Sequence, residues 1–234
     1  LEDLGDHSLI DEKDFYQNEK LVTSTLELLN KMHQSTHVDL HSTFWMGLES
    51  HTKKFSKIFC KEFLKIKMFE AYEDIFPDLR TEIMDQQWTN CHFDFERRNI
   101  QVLDNSELAL LDFQDLCHGP IGIDLAGILI DHYIPLNLAT LKKYCNCFAE
   151  ISIYDISPED VYRSTLWGGL QRNLRIMGTL TELYVNFKRS FRMKDLPQIV
   201  SNTALLSKEL NLVQLANFLL EDVSENLEKE LLKI

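Results

Sequence analysis

Cys91-His92-Phe93-Asp94-Phe95-Glu96-Arg97-Arg98-Asn99-Ile100 and, eighteen positions after Asp94, Leu111-Asp112-Phe113-Gln114-Asp115 are the most informative residues of this sequence. Three short β-like runs frame them: Trp88–His92, Asn99–Leu103 and Leu108–Phe113. The last two are joined by Asp104-Asn105-Ser106-Glu107, a cluster of turn formers. The pattern predicts a small hairpin in an otherwise helical chain. Asp94, Asn99 or Asp112 alone would be an ordinary turn residue. Together with His92, at the ends of strand patterns, they form a set of side chains with a chemical purpose.

That purpose is phosphoryl transfer to a hydroxyl. One carboxylate, Asp94, accepts the proton of the attacking hydroxyl. An amide, Asn99, and a second carboxylate, Asp112, hold Mg²⁺ against the nucleotide phosphates. Asn99 shares a loop with Asp94, which keeps metal and nucleophile at a fixed separation. Asp112 arrives on the adjacent hairpin and closes the metal site from the other side. The D-x₄-N spacing followed by Asp-Phe-Gln matches the catalytic-loop and metal-loop pair of the kinase signature, with Gln in place of Gly.

Outward from this segment the pattern is helical. Apolar residues at helical spacing predict helices over 17–35, 53–75 and 77–87 before it, with 36–50 as loop. After Gly119-Pro120, helices are expected at about 123–134, 138–150, 159–186 and 196–230. Ser157-Pro158-Glu159-Asp160 reads as a helix start, with a Ser cap, Pro in the first turn and acids on the positive end of the dipole. Asp195 and Pro197 are expected to play the same part. Trp167 and the Phe55, Phe59, Phe63 stripe read as core. The fold class is α+β, predominantly α, in one domain.

The 234 residues carry 37 acidic and 24 basic side chains, a net charge of −13, with 44% hydrophobic residues. That is an ordinary globular balance. The acidic excess argues against nucleic acid and anionic membrane surfaces as partners. No apolar run is long enough to span a bilayer. Cys60, Cys91, Cys117, Cys145 and Cys147 are odd in number and lack zinc-site spacing, so they read as reduced thiols of a cytoplasmic protein. His33, His37 and His41 have no acidic or thiol partner in register and read as surface or loop residues.

His92-x-Asp94-x₄-Asn99, then Leu111-Asp112-Phe113-Gln114-Asp115, then His118-Gly119-Pro120-Ile121-Gly122-Ile123-Asp124-Leu125-Ala126, resembles the aminoglycoside phosphotransferase family. Within it the likeness is greatest to the anomeric N-acetylmuramate and N-acetylglucosamine kinases of peptidoglycan recycling, through a later helix reading Gly169-Leu170-Gln171-Arg172-Asn173-Leu174-Arg175-Ile176-Met177-Gly178. Leu1–Asp6 resembles the hinge between the two lobes of such enzymes. Where the family usually has Arg between the His and the catalytic Asp, this chain has Phe93, which is expected to pack rather than pair.

The resemblance implies a protein-kinase-like C-terminal lobe over 7–234, with the catalytic loop and hairpin at 88–116. The N-lobe, its phosphate-covering loop and its lysine are absent from this chain, which has no G-x-G-x-x-G run. It implies ATP and Mg²⁺ as cofactors and a small sugar as acceptor. By resemblance Asp94 is the base, and Asn99 and Asp112 are the metal ligands. Asp124 supports the loop through backbone hydrogen bonds or caps a helix. His92 orients the loop, and Glu2 and Leu4 present hinge backbone to the adenine. Gln171, Arg172 and Arg175 meet an acidic group on sugar or phosphate, or form a salt-bridged face. Asp115 binds a sugar hydroxyl or caps a turn. The alternatives are an aminoglycoside or other small-molecule kinase of the same family, and a non-catalytic kinase remnant.

Overall fold

The computed structural model describes residues 5–35, 50, 52–104 and 106–234. It is mainly helical, with two small antiparallel sheets. Helix α1 (Glu19–Gln34) is capped by the Asn18 side chain, which accepts from the Leu21 amide. The helical stretch α2 (Phe55–Leu64) winds with π-type hydrogen bonds and stops at Lys65, whose φ is 60°. The helix expected over 53–75 therefore ends early: a left-handed residue breaks it, and only the short turn Glu70–Tyr72 follows before α3 (Ile75–Met84).

Strand β1 (Trp88–Cys91) pairs with β4 (Cys117–Pro120), Cys91 lying opposite Cys117. Strand β2 (Ile100–Val102) pairs with β3 (Leu108–Leu110). The expected hairpin is therefore present, and its turn closes through Leu103 and Glu107 backbone groups. Strand β4 was not expected, because its four residues, Cys-His-Gly-Pro, carry neither apolar alternation nor β-branched side chains.

Helix α4 (Ile121–Leu129) is buried along all nine residues and starts two residues earlier than the pattern predicts. It is followed by α5 (Leu138–Ile151) and by α6 (Pro158–Phe187), capped as expected by the Ser157 hydroxyl on the Asp160 amide. α4 against α6 is the most extensive contact between elements. Two glycines allow it: a Cβ on Gly122 would lie 2.0 Å from the Ser164 carbonyl oxygen, and one on Gly168 would lie 2.3 Å from that of Gly122. The α4–α6 pair divides the core. On one side Phe55, Phe59, Ile83, Leu170 and Val223 cluster; on the other Leu26, Phe95, Leu125, Phe148 and Leu166 do.

The helix expected over 196–230 is three helices: α7 (Leu196–Glu209), α8 (Val213–Phe218) and α9 (Ser224–Leu231). Asn211, at φ 59°, makes the break after α7, and a π-type turn, Leu219–Val223, leads into α9. Asp195 does not cap α7 with its side chain; its carboxylate pairs with Arg192 instead. The cysteines are free, and four of the five are buried. His33 is a correction: it sits inside the fold, 5% exposed, edge-on to Phe148 and near Tyr154. His37 and His41 lie outside the described residues, as does nearly all of the loop expected at 36–50. Among the described residues no helix is long and apolar enough to cross a membrane.

Candidate functional site

The loop after β1 is built around Asp124. This residue lies in the first turn of α4, is 1% exposed, and faces back toward the chain entering the loop. Its carboxylate accepts the amide of His92 at 2.5 Å and of Phe93 at 2.8 Å. The helix cap position belongs to Pro120, so Asp124 is a support for the loop rather than a cap. Burial pushes its carboxyl above the usual range, against the two amides and His92, which pull it down. Phe93 sits at φ 71°, an outlier for a bulky residue, and one of the two Asp124 bonds holds it there.

His92 is fully buried and its Nε2 lies 2.9 Å from the Leu111 carbonyl oxygen. A carbonyl only accepts, so Nε2 carries the proton. The amide of Leu111 in turn donates to the Asn99 carbonyl at 2.8 Å. Leu111 is thus gripped from both sides by the loop, and Asp112 emerges next to it in the left-handed conformation (φ 63°, ψ 43°), exposed to solvent.

Asn99 closes a short turn over residues 97–99 and donates from Nδ2 to the Asp94 carbonyl at 2.8 Å. With its nitrogen committed, Oδ1 is left as the free donor atom for a cation. Asp112 has no hydrogen-bond or ion-pair partner among the described residues. An amide oxygen and a carboxylate are hard donors of the kind Mg²⁺ prefers. Among the described residues no cluster of three or more His, Cys, Asp or Glu side chains could hold a metal alone.

The Asp94 carboxylate is partly exposed and receives Arg98 at 2.7 Å. Burial raises its carboxyl, but Arg172, Arg98 and Arg175 together outweigh burial and hold it below the usual carboxylate range. Arg98 also pairs with buried Glu96, which accepts from Arg172 at 2.7 Å. Arg97 points the other way, to Asp131 and the Glu12 carbonyl. These pairs were missed from sequence: Glu96, Arg97 and Arg98 stand inside the motif, but a turn gives no periodicity from which to assign their faces.

Arg172 and Arg175 reach the wall of a cavity of about 180 Å³ that Asp94 also lines. Gln171 and Asp115 do not reach it: Gln171 is buried at 1% exposure on another face of α6, and Asp115 is exposed after Asp112. Glu2 and Leu4 lie outside the described residues, but the segment after them runs beside the loop. Gln101 donates to the Gly5 carbonyl, Val102 to that of His7, and the Ser8 hydroxyl lies 3.2 Å from the Arg97 carbonyl.

The family described as "Phosphotransferase enzyme family" matches residues 1–149. An N-acetylmuramate/N-acetylglucosamine kinase of Neisseria meningitidis serogroup B is 25% identical over 150 residues, 62% of this chain and 45% of that protein. The match thus spans less than half of this relative. The crystal structure of a choline/ethanolamine kinase family protein from Mesorhizobium loti superimposes with a TM-score of 0.63 at 12% identity, covering 91% of this chain and 69% of that one. At that identity the likeness shows a shared kinase-like fold.

Proposed function

The chain belongs to the phosphotransferase enzyme family, and from that premise we propose that it carries the base and metal-ligand half of a kinase site. The reaction is transfer of the γ-phosphoryl group of Mg·ATP to a hydroxyl of a small sugar. The acceptor is an N-acetylated amino sugar phosphorylated at its anomeric hydroxyl. The observation that carries the reading is the grip on Leu111 by His92 and Asn99. It ties the residue preceding Asp112 to the same loop that bears Asp94.

In this reading Asp94, ionised at neutral pH, accepts a hydrogen bond from the acceptor hydroxyl and aims its oxygen at the γ-phosphorus. As the new O–P bond forms and the bond to the bridging oxygen breaks, the hydroxyl proton passes to Asp94 and then to water, and ADP leaves. Asn99 and Asp112 would hold Mg²⁺, which when bound neutralises charge on the phosphates. Asp124 and His92 position the loop and touch neither reactant. The chain has no G-x-G-x-x-G run, so the second side of the triphosphate is assigned to sequence outside it.

The test is the full-length protein with Mg·ATP and a panel of amino sugars, read by mass as gain of one phosphoryl group. Asp94→Asn should lower kcat by about 10²-fold or more, the range for removing a positioned base. A panel in which no sugar gains phosphate, or full activity in Asp94→Asn, would overturn the assignment.

A further inference from the structure

Cys91 and Cys117 face each other across the β1–β4 pair. Directly opposed residues of an antiparallel ladder stand about 4.5–5.5 Å apart at Cα, inside the roughly 4.4–6.8 Å that a disulfide bridges. Both sulfurs gather over Gly119: a Cβ there would lie 3.5 Å from the Cys91 Sγ and 3.7 Å from the Cys117 Sγ. Both are free thiols, and phosphoryl transfer as described above uses neither.

The two thiols differ in character. Cys91 is fully buried and Cys117 is 7% exposed, so a small reagent meets Cys117 first. Hydrogen bonding from Cys91 pulls the Cys117 thiol below its ordinary value, against burial and the Asp124 and Asp115 carboxylates. Burial pushes the Cys91 thiol well above its own. Cys117 therefore forms thiolate the more readily, with a protonated thiol held against it, which is the arrangement of an attacking and a resolving cysteine. The other thiols stand elsewhere. Cys60 lies on α2, raised by burial, and Cys145 lies on α5 against the Thr165 hydroxyl at 3.7 Å. Cys147, two residues further along α5, points to a different face of that helix.

We propose that Cys91 and Cys117 form a redox modification site, closed to a disulfide by a hydroperoxide and reopened by a dithiol, that ties the loop after β1 to β4. In the first step the Cys117 thiolate attacks the peroxide. An S–O bond forms, the O–O bond breaks, and the released oxygen takes up a proton as alcohol or water. The sulfur is oxidised by two electrons to a sulfenic acid and the peroxide is reduced. In the second step the Cys91 sulfur attacks that of Cys117. The S–S bond forms, the S–O bond breaks, and hydroxide leaves with the Cys91 proton as water. A dithiol reverses the closure and becomes a disulfide itself.

The bond encloses residues 91–117, and with them Asp94, Asn99 and Asp112. Cys91 immediately precedes His92, whose amide bonds Asp124 and whose ring meets the Leu111 carbonyl. Drawing Cys91 toward β4 shifts His92 against both. The effect on turnover rests on the kinase reading above; the bond itself does not.

The test treats the folded full-length protein with hydrogen peroxide, alkylates the remaining thiols and maps peptides by mass. The expected product has lost two hydrogens, joins the Cys91 peptide to the Cys117 peptide and reverts with dithiothreitol. It should melt about 5–10 °C above the reduced protein, because the ring restricts the unfolded chain. Oxidation should lower kcat about tenfold through the displaced loop. Cys117→Ser should keep the reduced protein's rate through the same treatment. Cys91→Ala should stop at a sulfenic acid on Cys117, trapped by dimedone. If no sugar is phosphorylated, amide exchange decides the coupling separately: protection of the His92 and Phe93 amides should change on oxidation and return with dithiothreitol. Absence of the Cys91–Cys117 peptide, oxidation of Cys117 alone to a sulfinic acid, or the same kcat and amide protection in both redox forms overturns the proposal and leaves the kinase reading standing.

Discussion

The imidazole of His92, itself fully buried, donates from Nε2 to the carbonyl oxygen of Leu111 across 2.9 Å. One residue further along, Asp112 is in the left-handed region and exposed. The bond therefore sets the origin from which Asp112 projects. His92→Ala takes the side-chain partner from the Leu111 carbonyl and opens a void where the buried ring was. Stability should fall by about 1–3 kcal/mol, and the KM for Mg·ATP should rise more than that for the sugar. Urea denaturation and two-substrate kinetics check both.

Asp124 accepts two amides with two oxygens, one of them from a residue at φ 71°. Asn at this position can accept only one, and its NH₂ group faces the other amide donor. Asp124→Asn should cost about 2 kcal/mol or more, with kcat falling further than the loss of folded protein explains. Activity normalised to the folded fraction by circular dichroism separates the two effects.

The pH dependence of Asp94 has a definite sign. Its folded carboxyl lies below the usual range, so the Asp94 carboxylate and the stability it contributes persist until the pH falls through that lowered value. In the kinase reading kcat/KM should show no acid limb from Asp94 between about pH 5 and 8. Arg98→Ala removes one of the cations that lower it while burial remains, so the limb should move to higher pH. A limb unmoved in Arg98→Ala would contradict this coupling.

His33 is buried, lacks a hydrogen-bond partner on either ring nitrogen, and titrates near pH 4, because burial disfavours its charged form. The unfolded chain takes up the proton near pH 6.5. Its effect is nil above that value and grows as pH falls toward 4, reaching about 3 kcal/mol of lost stability. His33→Phe should flatten this part of the stability–pH curve and leave the slope of His132, whose pKa burial and the nearby arginines also push down. Denaturant midpoints at pH 7.5 and 4.5 measure the difference.

Gly168 lies where α6 crosses α4 with backbone in contact, and a methyl group there would strike Gly122. Gly168→Ala should destabilise by about 3 kcal/mol. It should also displace Asp124, which α4 carries, so that loss of activity and of thermal stability appear together.

Much of the site was legible because it is local. His92, Asp94 and Asn99 lie within eight consecutive residues, and their spacing along one loop is a fact of the chain before any folding. The turn residues between β2 and β3 are readable for the same reason, as is the Ser157 cap: each is a choice made by a few adjacent backbones. What adjacent residues could not show was where the chain breaks without proline or glycine. Lys65 and Asn211 stop helices at positive φ; Asn tolerates that conformation, but nothing in a lysine side chain signals it.

The class of fold, the loop and the acids it carries were readable in advance, since they depend on periodicity and short-range spacing. Tertiary structure alone decided the environment of those acids. Asp124 meets the loop from 31 residues away and Arg172 meets Glu96 from 76. β1 finds β4 rather than a sequence neighbour, and Arg175 ends on the wall of the same cavity as Asp94. The physical reason is that charge and burial are properties of position in space. A low dielectric surrounds only those groups that packing has taken out of water, and the partner each then needs is whichever side chain the α4–α6 crossing brings within reach.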